Sequence, residues 1–234
     1  YAKKDKRIKL IDQLRREGKS AAINEFLTQA RSDVLIMASG DIRLHTKAIE
    51  EIGLPFFHDE VGMAGAHPIP VNINSNPWGQ EIKLLWHFHH LISLQTPKCG
   101  EMVAFRNVLK SIPHESAVDE ATIEVLLNLI GYKVAYAPRS IVFNKGPVSL
   151  SDLIKQRRRI YTGHMWVGQN YHYQVSTLKT ASTAQVIRNH LISNPSDIYP
   201  VFRLISVEFI SRFLGWFDYV ILRKNPFVWG MVER

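Results

Sequence analysis

Within twenty residues the spacing of apolar side chains changes period, and this constrains the fold more than any other feature. In "KSAAINEFLTQA", Lys19 to Ala30, Ile23, Phe26, Leu27 and Ala30 fall on one face of a helix. "DVLIMA" follows at once, a short apolar run with the length of a buried strand, and it stops at Ser39-Gly40-Asp41. The switch repeats. A helix is expected near Thr46–Ile52. The Gly- and Pro-broken "VGMAGAHPIPVNI" is expected to be an edge or irregular strand. A long helix should begin near Gly79, "EMVAFR" should be a strand, and "VDEATIEVLLNLIG" a helix closed by Gly131. "YKVAYAP" and "SIVFN" read as two further strands, and helices run from Ser149 towards Tyr173. Helix and strand in alternation predict an α/β fold with a mainly parallel sheet flanked by helices.

The 234 residues suffice to bury a sizeable core, and 46% hydrophobic with 21% charged residues is ordinary for a globular chain. A formal charge of +8 favours an anionic partner without naming it. The single Cys99 excludes an intramolecular disulfide framework and a Cys-cluster zinc site, and fits a reducing compartment. The basic stretch Tyr1–Lys9 has no apolar run behind it, so no secretory leader is read there. No stretch reaches the roughly 18 uninterrupted apolar residues of a spanning helix.

Several positions suit chemistry on anionic substrates, each with a plain structural alternative. Asp41 lies just past a strand end, where a carboxylate holds Mg²⁺ or Mn²⁺ together with substrate phosphates, or simply caps a turn. "GKS" at Gly18–Ser20 lacks the earlier Gly of a P-loop, since Gln13 stands there; what remains is Lys19 at a helix N-terminus. Asp119 and Glu120 open a helix, where Ser116 through Asp119 suit a capping box and the acids suit the helix dipole; one of them could instead be a general base. In "LIKQRRRIYTGH", Gln156 and Arg159 are three apart and share a helix face, while Arg157 and Arg158 point elsewhere. Charge confined to one turn is unlike a nucleic-acid-binding helix. His87, His89 and His90 lack acidic or Cys partners and read as core or surface histidines.

Taken in order, these motifs resemble the family-2 glycosyltransferases of GT-A fold, from about Lys6 to Gly168. "RIKLIDQLRREGKSAAINEFLTQARSDVLIMASGDIRL" is similar to the family's stretch from a Gly-Lys helix to its metal-binding Asp-x-Asp. "CGEMVAFRNVL" resembles the acceptor-side strand, "VDEATIEVLLNLIGYKVAYAPRSIVF" the acidic pair, helix, Gly and following strand, and "PVSLSDLIKQRRRIYTGH" the Gln-x-x-Arg-Trp segment of membrane-associated members. The resemblance implies inverting transfer from a nucleotide-diphosphate sugar. Asp41 would bind the Mg²⁺ or Mn²⁺, and Glu120, with Asp119 as the other candidate, would be the base. Lys19, Ser39, Gln156, Arg159 and Arg158 would hold the donor diphosphate, and Gly100, Glu101 and His164 would lie on the acceptor side. Three departures stand out: Ser39 replaces the first Asp of Asp-x-Asp, Ile160 replaces the Trp, and no counterpart of the family's first strands and Asn-Glu turn precedes Tyr1. Loss of the Trp implies transfer of one or a few sugars rather than processive synthesis.

After Asn194 the composition shifts. On a helix, Phe209, Ile210, Phe213, Trp216, Phe217 and Val220 gather on one side, and Glu208, Ser211, Arg212, Gly215 and Asp218 on the other. Such a helix fits a membrane interface or the domain's own core, and both readings stay open. The expected organisation is a transferase domain over 1–175 and a helical, membrane-interface region over 176–234. Expected partners are a nucleotide-sugar donor, a lipid-linked or glycan acceptor, and the cytoplasmic side of a membrane, with no nucleic acid. The alternatives are a basic membrane or nucleic-acid binding module and an inactive transferase-like domain.

Overall fold

Five strands form one sheet in the order β1 (Val34–Ala38), β4 (Met102–Arg106), β3 (Val61–Pro70), β5 (Lys133–Asn144), β2 (Arg43–Leu44). The structure, a computed structural model, describes residues 1–13, 15, 17–173, 180–225 and 227. Among these residues seven α-helices accompany the sheet: α1 (Lys19–Gln29), α2 (Ala48–Gly53), α3 (Gly79–Gln95), α4 (Asp119–Leu129), α5 (Leu150–Tyr171), α6 (Thr180–Ser193) and α7 (Ile198–Trp216). The α/β class and flanking helices match expectation, but the sheet is mixed rather than mainly parallel. Only β3 and β5 run parallel, while β1–β4, β4–β3 and β5–β2 are antiparallel. A strand buried on both faces is apolar throughout whichever way it runs, so composition carried no sign of direction.

Both faces of the sheet are covered. Alternation along the strands sends Leu35, Met63, Val103 and Phe105 towards Ile23 and Leu27 of α1 and Ile123 and Leu127 of α4. It sends Ala64, Ala66, Met102 and Ala104 towards Ala48 and Ile52 of α2. The small residues on that face let α2 approach closely. β3 is irregular, as expected, but it lies inside the sheet rather than at its edge. It pairs with β4 only over Met63–Gly65, so Pro68 and Pro70 fall where β3 has a single neighbour and a missing N–H costs nothing. The two strands expected around Arg139 are one strand, β5, whose register with β3 slips between Gly65 and His67. α4 ends at Gly131, whose φ of 93° suits glycine; Tyr132 N–H reaches Leu127 O and Gly131 N–H reaches Asn128 O, a Schellman closure.

Of the two orientations left open for α7, the structure has the aromatic side outward. Its inward side is apolar at first, with Val201, Leu204 and Val207 buried, and then small and polar: Ser211 and Gly215 are buried, Arg157 grips Glu208, and Arg158 grips Asp218 in the turn just after α7. At Gly215 a Cβ would lie 2.9 Å from the Arg158 carbonyl oxygen, so glycine permits the close approach of α5. Arg203 lies over the Trp78 ring at 4.1 Å and pairs with buried Glu81 at 3.2 Å, tying α7 to α3. The aromatic side is left outward, with Phe209 72% and Phe213 57% exposed. Among the described residues no helix is long and apolar enough to cross a membrane.

The histidines of α3 are structural, and they make stability pH-dependent. His90 stacks on His67 of β3 with ring centroids 4.0 Å apart, and its Nδ1 lies 2.8 Å from the Tyr136 hydroxyl. Burial, with His67 and His87 nearby, pushes His90 down to about 4, and burial also lowers His67. The unfolded chain titrates near 6.5 and so binds more protons than the folded one between about 6.5 and 4. Stability contributed by the stack is therefore full above about 6.5 and lost as pH falls towards 4. In thermal melts across this window His90→Phe, which keeps a ring but not the proton site, should show a shallower decline than the wild type. Equal slopes would contradict the assignment.

Candidate active site

Helices α1 and α4 meet at their N-termini, and side-chain bonds to the segment before α4 fix the meeting. Ser20 Oγ donates to the Ser116 carbonyl at 2.9 Å. Asn24 donates to the Ile112 carbonyl at 2.9 Å and accepts the Ile112 N–H at 2.7 Å. Ser116 Oγ lies 2.7 Å from Thr122 Oγ1, so Ser116 does not form the expected capping box; Val118 is the N-cap and supplies no side-chain cap. This scaffold sets Lys19, the first residue of α1, over Asp119 and Glu120, the first two of α4. Lys19 Nζ contacts Asp119 Oδ2 and donates to Glu120 Oε1 at 2.9 Å.

The three side chains differ in exposure: 2% for Asp119, 21% for Glu120 and 32% for Lys19. Burial and then the Glu120 charge push Asp119 up to about 6, against the pull of Lys19. For Glu120 burial works upward too, but Lys19, aided by Arg159, outweighs it and holds the carboxyl below its usual range. Burial opposes the Lys19 charge, yet both carboxylates together raise its pKa. The pair is thus asymmetric, with Glu120 ionised and partly reachable, and Asp119 the more readily protonated. Arg159 of α5 approaches from the other side, donating to the Ala117 carbonyl at 3.4 Å.

The strand-end residues lie at the same end of the sheet. Ser39 N–H donates to the Glu101 carbonyl at 2.9 Å, stitching the end of β1 to the turn before β4. The far end is marked by Asn107, which bonds Asp33 through its N–H at 2.8 Å and Ala30, just past α1, through its amide at 3.4 Å. The C-terminal end of α1 is therefore at the far end, and Lys19 at the Ser39 end. Cys99, just before this turn, is buried, and burial with the charges of Glu124 and Glu120 pushes its thiol up. Asp41 is exposed in the turn after β1. Glu101 holds a left-handed backbone, φ 55°, and its carboxylate accepts the Asn144 amide at 3.2 Å.

The structure therefore gathers Lys19, Ser39, Gly100, Glu101, Asp119, Glu120 and Arg159 at one end of the fold, with Asp41 in the adjoining turn. Gln156 lies one turn before Arg159 on the same face of α5. Arg158 does not join them: its guanidinium turns to Asp218, and its expected role as a diphosphate ligand is corrected to a tie between α5 and the turn just after α7. His164 is buried and neutral; burial, then Lys98, Arg157 and Arg212, depress its pKa well below the usual value. Two residues were missed from the sequence. Lys98, beside the Cys99–Glu101 turn, is pushed down to about 8 by burial and by Arg157. Asn144 orients Glu101, and a polar residue ending an apolar strand was its only signal. An open recess of about 350 Å³ lined by Ile11, Asp12, Gln13, Arg15 and Ala22 begins one turn along α1 from Lys19 and does not include the acidic pair.

The residues fit a divalent cation only in part. Among the described residues no three His, Cys, Asp or Glu side chains come together as a metal cage. Asp41 is one exposed carboxylate with Ser39 where a second acid would stand, which suits a cation that completes its shell from substrate phosphates.

Residues 1–113 match the sequence profile of glycosyl transferase family 2. Over that segment the chain is similar to the family-2 glycosyltransferases. No curated protein matches the sequence. Among solved structures, the mannosyltransferase PcManGT from Pyrobaculum calidifontis, in complex with GDP-Man and Mn²⁺, is similar in fold. The likeness has a TM-score of 0.64 at 12% identity, over 92% of this chain and 70% of that one. The family match takes in Lys19, Ser39, Asp41, Gly100 and Glu101; the acidic pair and Arg159 lie beyond it, within the GT-A-like fold.

Proposed function

We propose that the chain transfers a sugar, with inversion, from a nucleotide-diphosphate sugar to a hydroxyl of a lipid-linked or glycan acceptor. The observation that carries this reading is the Lys19–Asp119–Glu120 cluster at the strand end that bears Ser39 and Asp41. Glu120, ionised and partly exposed, takes the proton of the acceptor hydroxyl, whose oxygen attacks the anomeric carbon as the nucleoside diphosphate leaves. Asp119 holds the neighbouring position, and Lys19, Gln156 and Arg159 meet the diphosphate, Arg159 through a planar fork suited to it. Asp41 would hold Mg²⁺ or Mn²⁺ with the diphosphate oxygens, and the cation supplies stabilisation of the leaving charge. Ile160 packs into the cluster of Val118, Ala121, Val125 and Val167 beneath α4, which supports a structural place for it and a product of one or a few added sugars.

The outward aromatic side of α7 supports a membrane-surface enzyme, on the cytoplasmic side where Cys99 stays reduced. Phe209→Glu with Phe213→Glu should abolish sedimentation with phosphatidylglycerol vesicles and leave the circular-dichroism spectrum unchanged; equal sedimentation would contradict the membrane reading. The nucleic-acid reading loses its footing because Arg157 and Arg158 are engaged by Glu208 and Asp218. A panel of nucleotide sugars offered with Mg²⁺ or Mn²⁺, with nucleotide release as readout, tests the proposal and separates it from an inactive domain. Asp41→Asn should lower release from the accepted donor by about 10-fold or more, as expected for a lost hydrogen-bonded charge worth roughly 1.5–3 kcal/mol. Unchanged release would remove Asp41 from the site.

A further inference from the structure

We propose that Lys19 is a shared counter-ion, held by the acidic pair in the free enzyme and drawn off it by the donor's diphosphate, so that donor binding and the basicity of Glu120 are coupled. This rests on the donor reading above. Lys19 Nζ touches both carboxylates at once, and its side chain remains 32% exposed, within reach of a ligand from outside. Its backbone is fixed by the Ser20–Ser116 and Asn24–Ile112 bonds, so the ammonium alone can change partner, on a four-carbon stem that rotates freely. The charged groups facing the pair are Lys19 from α1 and Arg159 from α5, and Arg159 is anchored on the Ala117 carbonyl.

When the ammonium leaves for a diphosphate, two adjacent and largely buried carboxylates lose their principal counter-charge. Two negative charges in such a place favour uptake of one proton from solvent, and the remaining carboxylate becomes a stronger base. Glu120 is therefore a weak base until donor is bound, and the acceptor hydroxyl is activated only then. Coupling is reciprocal, so whatever weakens the hold of the pair on Lys19 must tighten diphosphate binding. A merely structural ion pair predicts no such gain.

The test is titration calorimetry of the four common ribonucleoside diphosphates, each with Mn²⁺, at pH 7.5. The proteins are the wild type, Glu120→Gln, Lys19→Met and the double variant, each first shown to be folded by circular dichroism. Glu120→Gln should bind the preferred diphosphate more tightly, on the order of 5- to 50-fold, and Lys19→Met more weakly by a similar factor. Tightening should be absent when Glu120→Gln is added to Lys19→Met. Repeating the wild-type titration in HEPES and Tris should reveal proton uptake that Lys19→Met lacks. Binding by Glu120→Gln no tighter than wild type, or tightening that persists in the double variant, would overturn the coupling while leaving the donor reading standing. If no diphosphate binds the wild type, the donor reading itself falls, and the coupling with it.

Discussion

Glu120→Gln should lower the rate of sugar transfer by about 10²- to 10⁴-fold, the usual contribution of a positioned general base, and leave the melting temperature close to that of the wild type. The side chain is 21% exposed, and the amide keeps its shape and still accepts a hydrogen bond from Lys19, so little packing is lost. What is lost is the proton acceptor. Asp119 cannot readily substitute, because it is 2% exposed and directed into Lys19 rather than towards an entering hydroxyl. Asp119→Asn should therefore cost less in turnover than Glu120→Gln. Equal or reversed losses would transfer the role of base to Asp119.

Phe105→Ala should be the most damaging single change to stability, by about 3–5 kcal/mol, the range for truncating a buried aromatic side chain. Phe105 is fully buried in β4, paired with Leu35 on one side and Met63 on the other. Its ring lies in the cluster that joins Ile23 and Leu27 of α1 to Ile123 and Leu127 of α4. Those two helices carry Lys19 and the acidic pair at their N-termini, so a cavity here loosens the platform on which the site is built. At roughly 2–4 °C per kcal/mol for a chain of this size, the shift is easily read in a thermal melt. A loss below about 1 kcal/mol would mean that the two helices do not depend on the shared core.

Local features were legible in the sequence where one short stretch decides them. α1, β1, α3, β4, α4 and α5 fall within a few residues of where period and capping place them, and the i, i+3 spacing correctly separates Arg159 from Arg157 and Arg158. Strand direction was not legible, because an apolar run buried on both faces looks alike either way. The orientation of α7 was not legible either. Its amphipathic pattern is clear, but which side faces inward depends on Arg157 and Arg158, some fifty to sixty residues earlier, finding Glu208 and Asp218. The same holds for the site. The sequence offered Asp119 and Glu120 as a capping pair or a base; Lys19, about a hundred residues away, gives the two carboxylates different protonation behaviour. Lys98 and Asn144 carried almost no local signal, since their environment is made wholly by the fold.

The measurement that bears most directly on the account is the anomeric configuration of the product. With the accepted donor identified from the nucleotide-sugar panel, proton NMR of the transferred sugar reports its stereochemistry. Attack by an acceptor hydroxyl deprotonated at Glu120 predicts a configuration opposite to that in the donor, formed at full rate by the wild type and only marginally by Glu120→Gln. Retained configuration, or product formed equally well by both proteins, would contradict it.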